Sequence, residues 1–484
     1  MRCTDILLIY PPFTVRERYG NRPIGRIGGH LPPLGLAQLA AFVREQGYKV
    51  DLLDAVALDL SVENVVERVT AIEPRAVGLT ALTSSFHRAV SVASQISKVL
   101  PGILTLVGGP HASAVPQTVM SENSCFDLLV LGEGELTLVE IMERYRDAGY
   151  VRRKLLEDHD KLREVDGIIF RNNGEISQTA PRQLITNLDM LPLPARDLLP
   201  MERYIPLPNQ YRRLPVVHMT TSRGCPHDCS FCSASAVFGR RLRRLSVDRV
   251  MEEIKNVVRH YNAREVSFWD DTMTQNRNWM ETFCDALLES GLDLTWTCYA
   301  RVDTMDFPLL KKMKKAGCFN IFYGFEAGSQ ELLDLIDKRI RVEDSVRVCR
   351  WTREVGIEVR GSFMLGLPGE TPELARQTIN FALELDPDYA QFCLTTPYPG
   401  TKLYDQAEEF GWLSTELSDY HGWKAVFVPY GYNSSEELLA MERRAMIRFY
   451  FRPSYWLRTV RKLRGREDLF RVFKGLRMAL GFVR

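Results

Sequence analysis

The chain lacks any uninterrupted apolar stretch of ~18 residues, the length that a bilayer span demands, so no transmembrane helix is expected. It also lacks net charge: 62 Lys and Arg offset 61 Asp and Glu across 484 residues, an average that points to no nucleic-acid partner. Cysteine is scarce, with ten residues in all. That number is too small to staple a chain of this length and excludes the small disulfide-rich secreted class. In a reducing cytoplasm, the expected location, clustered thiols serve instead as metal ligands or catalytic groups. The apolar run Ile6 to Tyr10 is too short for a signal-peptide core and meets Pro11 and Pro12, so it reads as a first β-strand. No lipidation motif is found at either end.

What is present is a repeated alternation of short β-branched runs and amphipathic stretches, long enough for two to four domains at ~100–200 residues each. In residues 1–150 strands are expected at Ile6 to Tyr10, Val50 to Leu53, Ala76 to Thr80, Leu104 to Val107 and Leu128 to Leu131, with helices such as Leu34 to Gln46 and Val62 to Ile72 between them. This order predicts a doubly wound parallel sheet of flavodoxin-like layout, whose ligands bind beyond the carboxyl ends of the strands. Those ends carry Thr83-Ser84-Ser85, Gly108-Gly109-Pro110-His111 and Gly132-Glu133-Gly134-Glu135. Residues 151–212 read as a β-ribbon around Asn172-Asn173-Gly174, then a proline-punctuated linker. In 213–430 six strand and helix units recur, with strands at Val217 to Thr221, Glu265 to Trp269, Leu294 to Cys298, Asn320 to Gly324, Glu358 to Leu365 and Tyr389 to Leu394. That count suits a partial (β/α)6 TIM-like barrel, with its chemistry at the strands' carboxyl ends.

The final stretch, 431–484, reads as a helical extension. From Arg443 onward it holds thirteen Lys and Arg against Glu467 and Asp468, a local charge of +11 interleaved with aromatics. Such a segment suits peripheral contact with an anionic membrane, and equally a helix packed on the second domain with a solvated basic face.

The ten cysteines divide sharply by spacing. Cys225, Cys229 and Cys232 stand as C-x3-C-x2-C in a loop directly after the first strand of the second domain, an arrangement expected by chance only roughly 0.004 times in such a chain. Three close thiolates without a fourth can hold a cubane iron–sulfur cluster and leave one iron open for chemistry. The other seven (Cys3, Cys125, Cys284, Cys298, Cys318, Cys349, Cys393) are scattered, and packing is their default role.

This loop, with Phe231 just before the last cysteine, resembles that of the radical S-adenosylmethionine superfamily, and the likeness extends over Val216 to Cys393. The resemblance implies a 4Fe–4S cluster on the three cysteines and reductive cleavage of S-adenosylmethionine to a 5′-deoxyadenosyl radical. Contacts to S-adenosylmethionine are expected from Phe231, Asp270, Asp271, Arg301, Glu326, Ser362 and Gly366. Taken singly, each has a structural alternative: Asp271 as a helix cap, Arg301 as the partner of Asp303, Glu326 as a strand-end charge.

The first domain resembles the cobalamin-binding domain that precedes this core in one branch of the superfamily, on Pro32 to Ala37 and the three loops above. That likeness implies cobalamin held by Ser84, Ser85, Gly108, Gly109, His111, Gly132, Glu133, Gly134 and Glu135. The Asp-x-His-x-x-Gly signature that supplies a cobalt ligand in many corrinoid proteins does not occur. His111 is either a ligand or, by the larger margin, a loop histidine satisfied by its neighbours. The expected activity is methylation of an unactivated carbon or phosphorus in a small-molecule or lipid substrate, fed by an electron donor such as flavodoxin or ferredoxin. A radical cyclase of the anaerobic porphyrin type and a cobalamin sensor or carrier without turnover are the alternatives.

Overall fold

The computed structural model describes residues 4–14, 17, 29–461, 465 and 472–475. It divides into two compact units: Met1–Arg18, His30–Tyr204 and Ser233–Gly239 form the first, and Tyr19–Gly29, Ile205–Cys232 and Arg240–Arg484 the second. Both are α/β structures.

The first unit is built on seven strands: β1 (Ile6–Tyr10), β2 (Val50–Asp54), β3 (Ala76–Thr80), β4 (Leu104–Gly108), β5 (Leu128–Val130), β6 (Ile168–Asn172) and β7 (Glu175–Gln178). They are arranged in the order β2-β1-β3-β4-β5-β6-β7, with β1 to β5 parallel. The parallel strands are largely apolar, with Ile6 to Ile9 of β1 and Leu128 to Val130 of β5 buried throughout, as expected where helices cover both faces. Helix Val62–Ile72 illustrates the local logic. Ser61 and Asn64 close a capping box at its start, and Val62, Val65, Val66 and Val69 put one apolar stripe against the sheet.

The ribbon expected after residue 151 forms, and Asn173 and Gly174 take the positive φ values of 51° and 90° that its tight turn requires. It is not a separate element, however. Strand β6 pairs antiparallel with β5 and turns the parallel sheet into a mixed one. The reason lies in Ile168, Ile169 and Phe170, which are apolar on both faces and fully buried. The proline-rich stretch read as a linker also packs within the first unit up to Tyr204. Leu199 and Tyr204 join Ala37 and Ala57 in a small core, the Tyr204 hydroxyl donates to Asp54 Oδ2 at 2.7 Å, and Gln38 donates to the Pro192 carbonyl at 2.8 Å.

At the carboxyl edge of this sheet Gly109 has φ +96°, and a Cβ there would lie 2.6 Å from Thr80 Oγ1 and 3.0 Å from the Ala81 nitrogen. Gly109→Ala is therefore expected to destabilise the chain by about 1–3 kcal/mol, read as a lower urea midpoint, since both the conformation and the space exclude a side chain.

The second unit begins with β8 (Val216–Met219), followed by the short pair β9 (Ser222–Arg223) and β10 (Arg243–Arg244). Then come β11 (Glu265–Phe268), β12 (Thr295–Ala300), β13 (Cys318–Glu326), β14 (Glu358–Leu365) and β15 (Tyr389–Leu394), before a final ribbon of β16 (Gly411–Leu413) and β17 (Phe427–Pro429). The six long strands form one parallel sheet in chain order, β8-β11-β12-β13-β14-β15. Strand β8 stops two residues earlier than its apolar run suggests, because the Thr221 amide and hydroxyl both turn to Asp270.

Helices line one face of this sheet. Phe268 and Trp296 meet Phe283 of helix Arg277–Ser290, Tyr323 bonds Thr352 of helix Val342–Glu354, and Phe363 packs on Phe381 of helix Pro372–Leu385. The intervening residues of each strand point to the other face.

The C-terminal extension is helical over Ser435–Tyr450 and Pro453–Arg461. Its start is capped by Ser434, and Phe449 packs on Phe392 of β15. The Tyr450 hydroxyl donates to the Ala390 carbonyl at 2.7 Å and accepts from the Ala390 amide at 3.1 Å. Arg452 and Arg458 both pair with Asp386, so this part of the basic segment is docked on its own unit. Most of the segment beyond Arg461 lies outside the described residues. No helix among the described residues is long and apolar enough to cross a membrane.

Candidate functional site

The three cysteines stand on a loop that protein bonds hold in place. Asp270, at the end of β11, accepts with one oxygen from the Thr221 amide at 2.9 Å, the Thr221 hydroxyl at 2.8 Å and the Ser222 hydroxyl at 2.5 Å. Its other oxygen is buried without a partner. Gly224 then takes φ +85°, which lets the chain reverse into Cys225. Farther along, the Ser230 amide donates to the Ile336 carbonyl at 3.0 Å, and the Cys232 amide closes a turn on the Cys229 carbonyl at 3.1 Å. All three cysteines are half-buried and outside any disulfide, and burial raises the Cys225 thiol above its ordinary range. Among the described residues no three His, Cys, Asp or Glu side chains are gathered to ligate a single metal ion.

Most of the residues assigned to S-adenosylmethionine lie near this loop or on neighbouring strand ends. Arg301 is buried, with Nη1 3.8 Å from Cys229 Sγ, while its guanidinium also grips Asp303 at 2.9 and 3.0 Å and the Lys338 carbonyl at 2.7 Å. The ion-pair alternative for Arg301 and the thiol contact thus coexist in one side chain. Glu326 is held at 2.6 Å by Lys338, both fully enclosed, and the Lys338 ammonium lies 5.9 Å from the centre of the Phe231 ring. A Cβ on Gly324 would collide with the Glu326 carboxylate, which explains glycine there. Ser362 is half-buried on β14. Asp271 is exposed, yet the protein packed around its carboxyl, with the Asp270 charge beside it, pushes that carboxyl up to about 6.

Gly366 has φ +76° and donates its amide to Glu370 Oε1 at 2.6 Å. Glu370 is 0% exposed; the same oxygen accepts from the Tyr432 hydroxyl at 2.7 Å, and Oε2 has no partner. Burial pushes this carboxyl up to about 7 from an ordinary 4.5, so the folded chain keeps a proton that the unfolded chain releases. Stability from this group is complete below pH ~4.5 and is lost as pH rises through ~7, a decline of about 3 kcal/mol. Urea midpoints measured at pH 5 and pH 8 are expected to show that decline in the native chain and to lack it in Glu370→Gln.

In the first unit the assigned loops lie together at the carboxyl edge of β3, β4 and β5, and they divide in role. Ser84, Gly108, Gly109, Gly132 and Gly134 are half-buried, and Leu82 beside them is exposed. Ser85 is buried and bonds back to the Leu82 carbonyl at 3.3 Å. Glu133 and Glu135 are buried, and Glu133 accepts the Ile185 amide at 2.9 Å, a structural bond. His111 is only 1% exposed, with Nδ1 3.2 Å from Thr83 Oγ1 and its ring 4.6 Å from that of Phe86. Burial lowers its pKa to about 4, so the imidazole is neutral. The satisfied-histidine alternative describes this geometry.

Sequence reasoning named Asp303 as a partner of Arg301 but missed Lys338 and Ser113, whose hydroxyl accepts the Gly132 amide at 2.9 Å.

Two family models match the chain: the Radical SAM superfamily over residues 219–382 and the B12 binding domain over residues 23–142. An uncharacterized methyltransferase of Pyrococcus horikoshii is 35% identical over 465 residues, which is 95% of this chain and 95% of that protein. The anaerobic magnesium-protoporphyrin IX monomethyl ester cyclase of Rubrivivax gelatinosus is 30% identical over 384 residues, 78% of this chain and 67% of that protein. Among solved structures, the radical S-adenosylmethionine methyltransferase TsrM from Kitasatospora setae, with cobalamin and a 4Fe–4S cluster bound, superposes with a TM-score of 0.73 at 16% identity over 99% of both chains. At that identity the likeness is one of fold.

Proposed function

The chain belongs to the cobalamin-binding radical S-adenosylmethionine superfamily, and from that premise we propose that it methylates an unactivated carbon, or a phosphorus, of a small-molecule or lipid substrate. The observation that carries this reading is the thiol loop: Cys225, Cys229 and Cys232, half-buried and outside any disulfide, anchored through Thr221 and Ser222 to Asp270, with the Arg301 guanidinium against Cys229. Three sulfur donors without a fourth protein ligand suit a 4Fe–4S cluster with one iron left for S-adenosylmethionine. The six parallel strands are the partial barrel, and the first five strands of the other sheet are the flavodoxin-like layer.

When bound, the cluster supplies the electron that cleaves S-adenosylmethionine, and cobalamin supplies a methyl carrier. The protein's own groups do the holding. Arg301 sets its guanidinium against the Cys229 sulfur, and Lys338, near the Phe231 ring, fixes Glu326 in an ion pair. Asp271, exposed at the strand end, offers a hydrogen-bond acceptor to a ligand. In the first unit the backbone of Ser84, Gly108–Gly109 and Gly132–Gly134 with exposed Leu82 offers polar and apolar contact to a corrin. His111, committed to Thr83 and Phe86, is left out of cobalt ligation in this proposal.

The test is incubation of the anaerobically reconstituted chain with methyl-labelled S-adenosylmethionine and cobalamin. Label in a product is expected; 5′-deoxyadenosine without transferred label would instead support the cyclase reading that the Rubrivivax gelatinosus relative suggests.

A further inference from the structure

The face of the second sheet that the helices leave uncovered has two layers, defined by strand register. The lower one runs His218, Ser267, Thr297, Asn320 and is buried throughout. Above it Trp269, Tyr299, Phe322 and Arg360 stand side by side. Their rings are 5.5 Å apart between Trp269 and Tyr299 and 5.0 Å apart between Tyr299 and Phe322, and all three are half-exposed. Thr220 and Gln391 at the two ends are exposed, so solvent reaches this face.

Within this setting two polar side chains are out of balance. Arg360 is 5% exposed, its guanidinium carbon is 4.4 Å from the Phe322 ring centre and 5.6 Å from that of Tyr299, and its Nε has no hydrogen-bond partner. No carboxylate among the described residues pairs with it, although the other buried cations nearby, Arg301 and Lys338, each have one. Asn320 is 1% exposed, with both its amide nitrogen and its oxygen unpartnered. The Tyr299 hydroxyl and the ring faces are the neighbours of the Arg360 guanidinium, none of them a counter-ion, and the Asn320 amide has no partner, so burial of each stays costly. A ligand that brings an anion to Arg360 and a polar edge to Asn320 compensates both.

We propose that the substrate carries a carboxylate on a planar apolar body, the carboxylate seated bidentate on Arg360 and the planar body laid against Trp269, Tyr299 and Phe322. The planar fork of arginine matches a carboxylate in two parallel bonds, and the aromatic row offers stacking surface rather than further charge. This inference rests on the reading above, in which the carboxyl ends of these strands face the reaction, and it adds the substrate's chemical class.

The test uses the full chain, native and as Arg360→Met and Arg360→Lys, with two matched probe pairs: indole-3-propionate and its amide, 2-naphthoate and its amide. By equilibrium dialysis the native chain is expected to bind the acids about tenfold or more tightly than the amides, a preference that falls to about one in Arg360→Met and stays above about threefold in Arg360→Lys. Urea midpoints accompany each variant, and Arg360→Met is expected to equal or exceed the native chain, since an unpaired buried charge is replaced by an apolar side chain. Acids that bind no better than amides, or a preference that survives in Arg360→Met, overturn the proposal. Neither readout needs a cluster or cobalamin. A chain that prefers acids yet cleaves no S-adenosylmethionine keeps this inference and refutes the enzymatic reading.

Discussion

Cys229→Ala is expected to leave the anaerobically reconstituted chain with iron near background and no measurable 5′-deoxyadenosine from S-adenosylmethionine. Stability should barely change. Cys229 is half-buried, and the loop around it is fixed by bonds that the substitution spares, namely those of Asp270 to Thr221 and Ser222 and that of Ser230 to Ile336. A cluster with three protein thiolates has none to spare, so losing one removes the site and not merely some affinity. Cys284→Ala serves as the control. That thiol is fully buried, so its loss is a packing defect that lowers stability and leaves iron content intact. Full iron content and cleavage in Cys229→Ala would refute the ligand assignment.

The second large effect is on stability. Lys338→Met strands the Glu326 carboxylate, enclosed at 5% exposure and 2.6 Å from the ammonium that now neutralises it. Breaking such a pair from one side costs about 3–5 kcal/mol, more than most single substitutions, whereas replacing both partners by apolar or neutral groups costs far less. The double variant Lys338→Met, Glu326→Gln is therefore expected to recover most of the urea midpoint lost in Lys338→Met alone. Because the pair adjoins Phe231, cleavage of S-adenosylmethionine should stay impaired in the stable double variant. Equal stability of native chain and Lys338→Met would mean that the buried pair does not carry the expected load.

The residues behind these two effects differ in how legible they are in the sequence. The cysteines announce themselves by spacing, and most strand positions by their apolar runs, since periodicity and spacing are properties of the chain itself. Lys338 does not. It sits twelve residues after Glu326, past helix Gln330–Leu335, and nothing in Asp337-Lys338-Arg339 marks one of three charged neighbours as the one that turns inward. The partners of Glu133 and Gly132 are likewise set by how helix Pro110–Ala114 and the loops at 132 and 185 meet in space. His111 shows the reverse case: its place in a glycine-rich loop suits a ligand, and only Thr83 and Phe86 above it reveal a packed, neutral ring. The ribbon was legible as a hairpin from its Asn-Gly turn, but its union with the parallel sheet depends on β5 having an uncovered side. Arg360 was hidden for the simplest reason: a charged residue inside a strand is visible, but the absence of its counter-ion is not.

The hydroxyl of Tyr450 has a meaning beyond docking the terminal helix. Strand β15 ends the second sheet, and the outward amide and carbonyl of Ala390 are groups that a strand from another molecule would otherwise grip. One phenol occupies both, giving to the carbonyl and taking from the amide as a neighbouring peptide would. The C-terminal extension thus doubles as a guard against edge-to-edge aggregation, and shortening the chain before Tyr450 would open a sticky border long before it touched any cofactor.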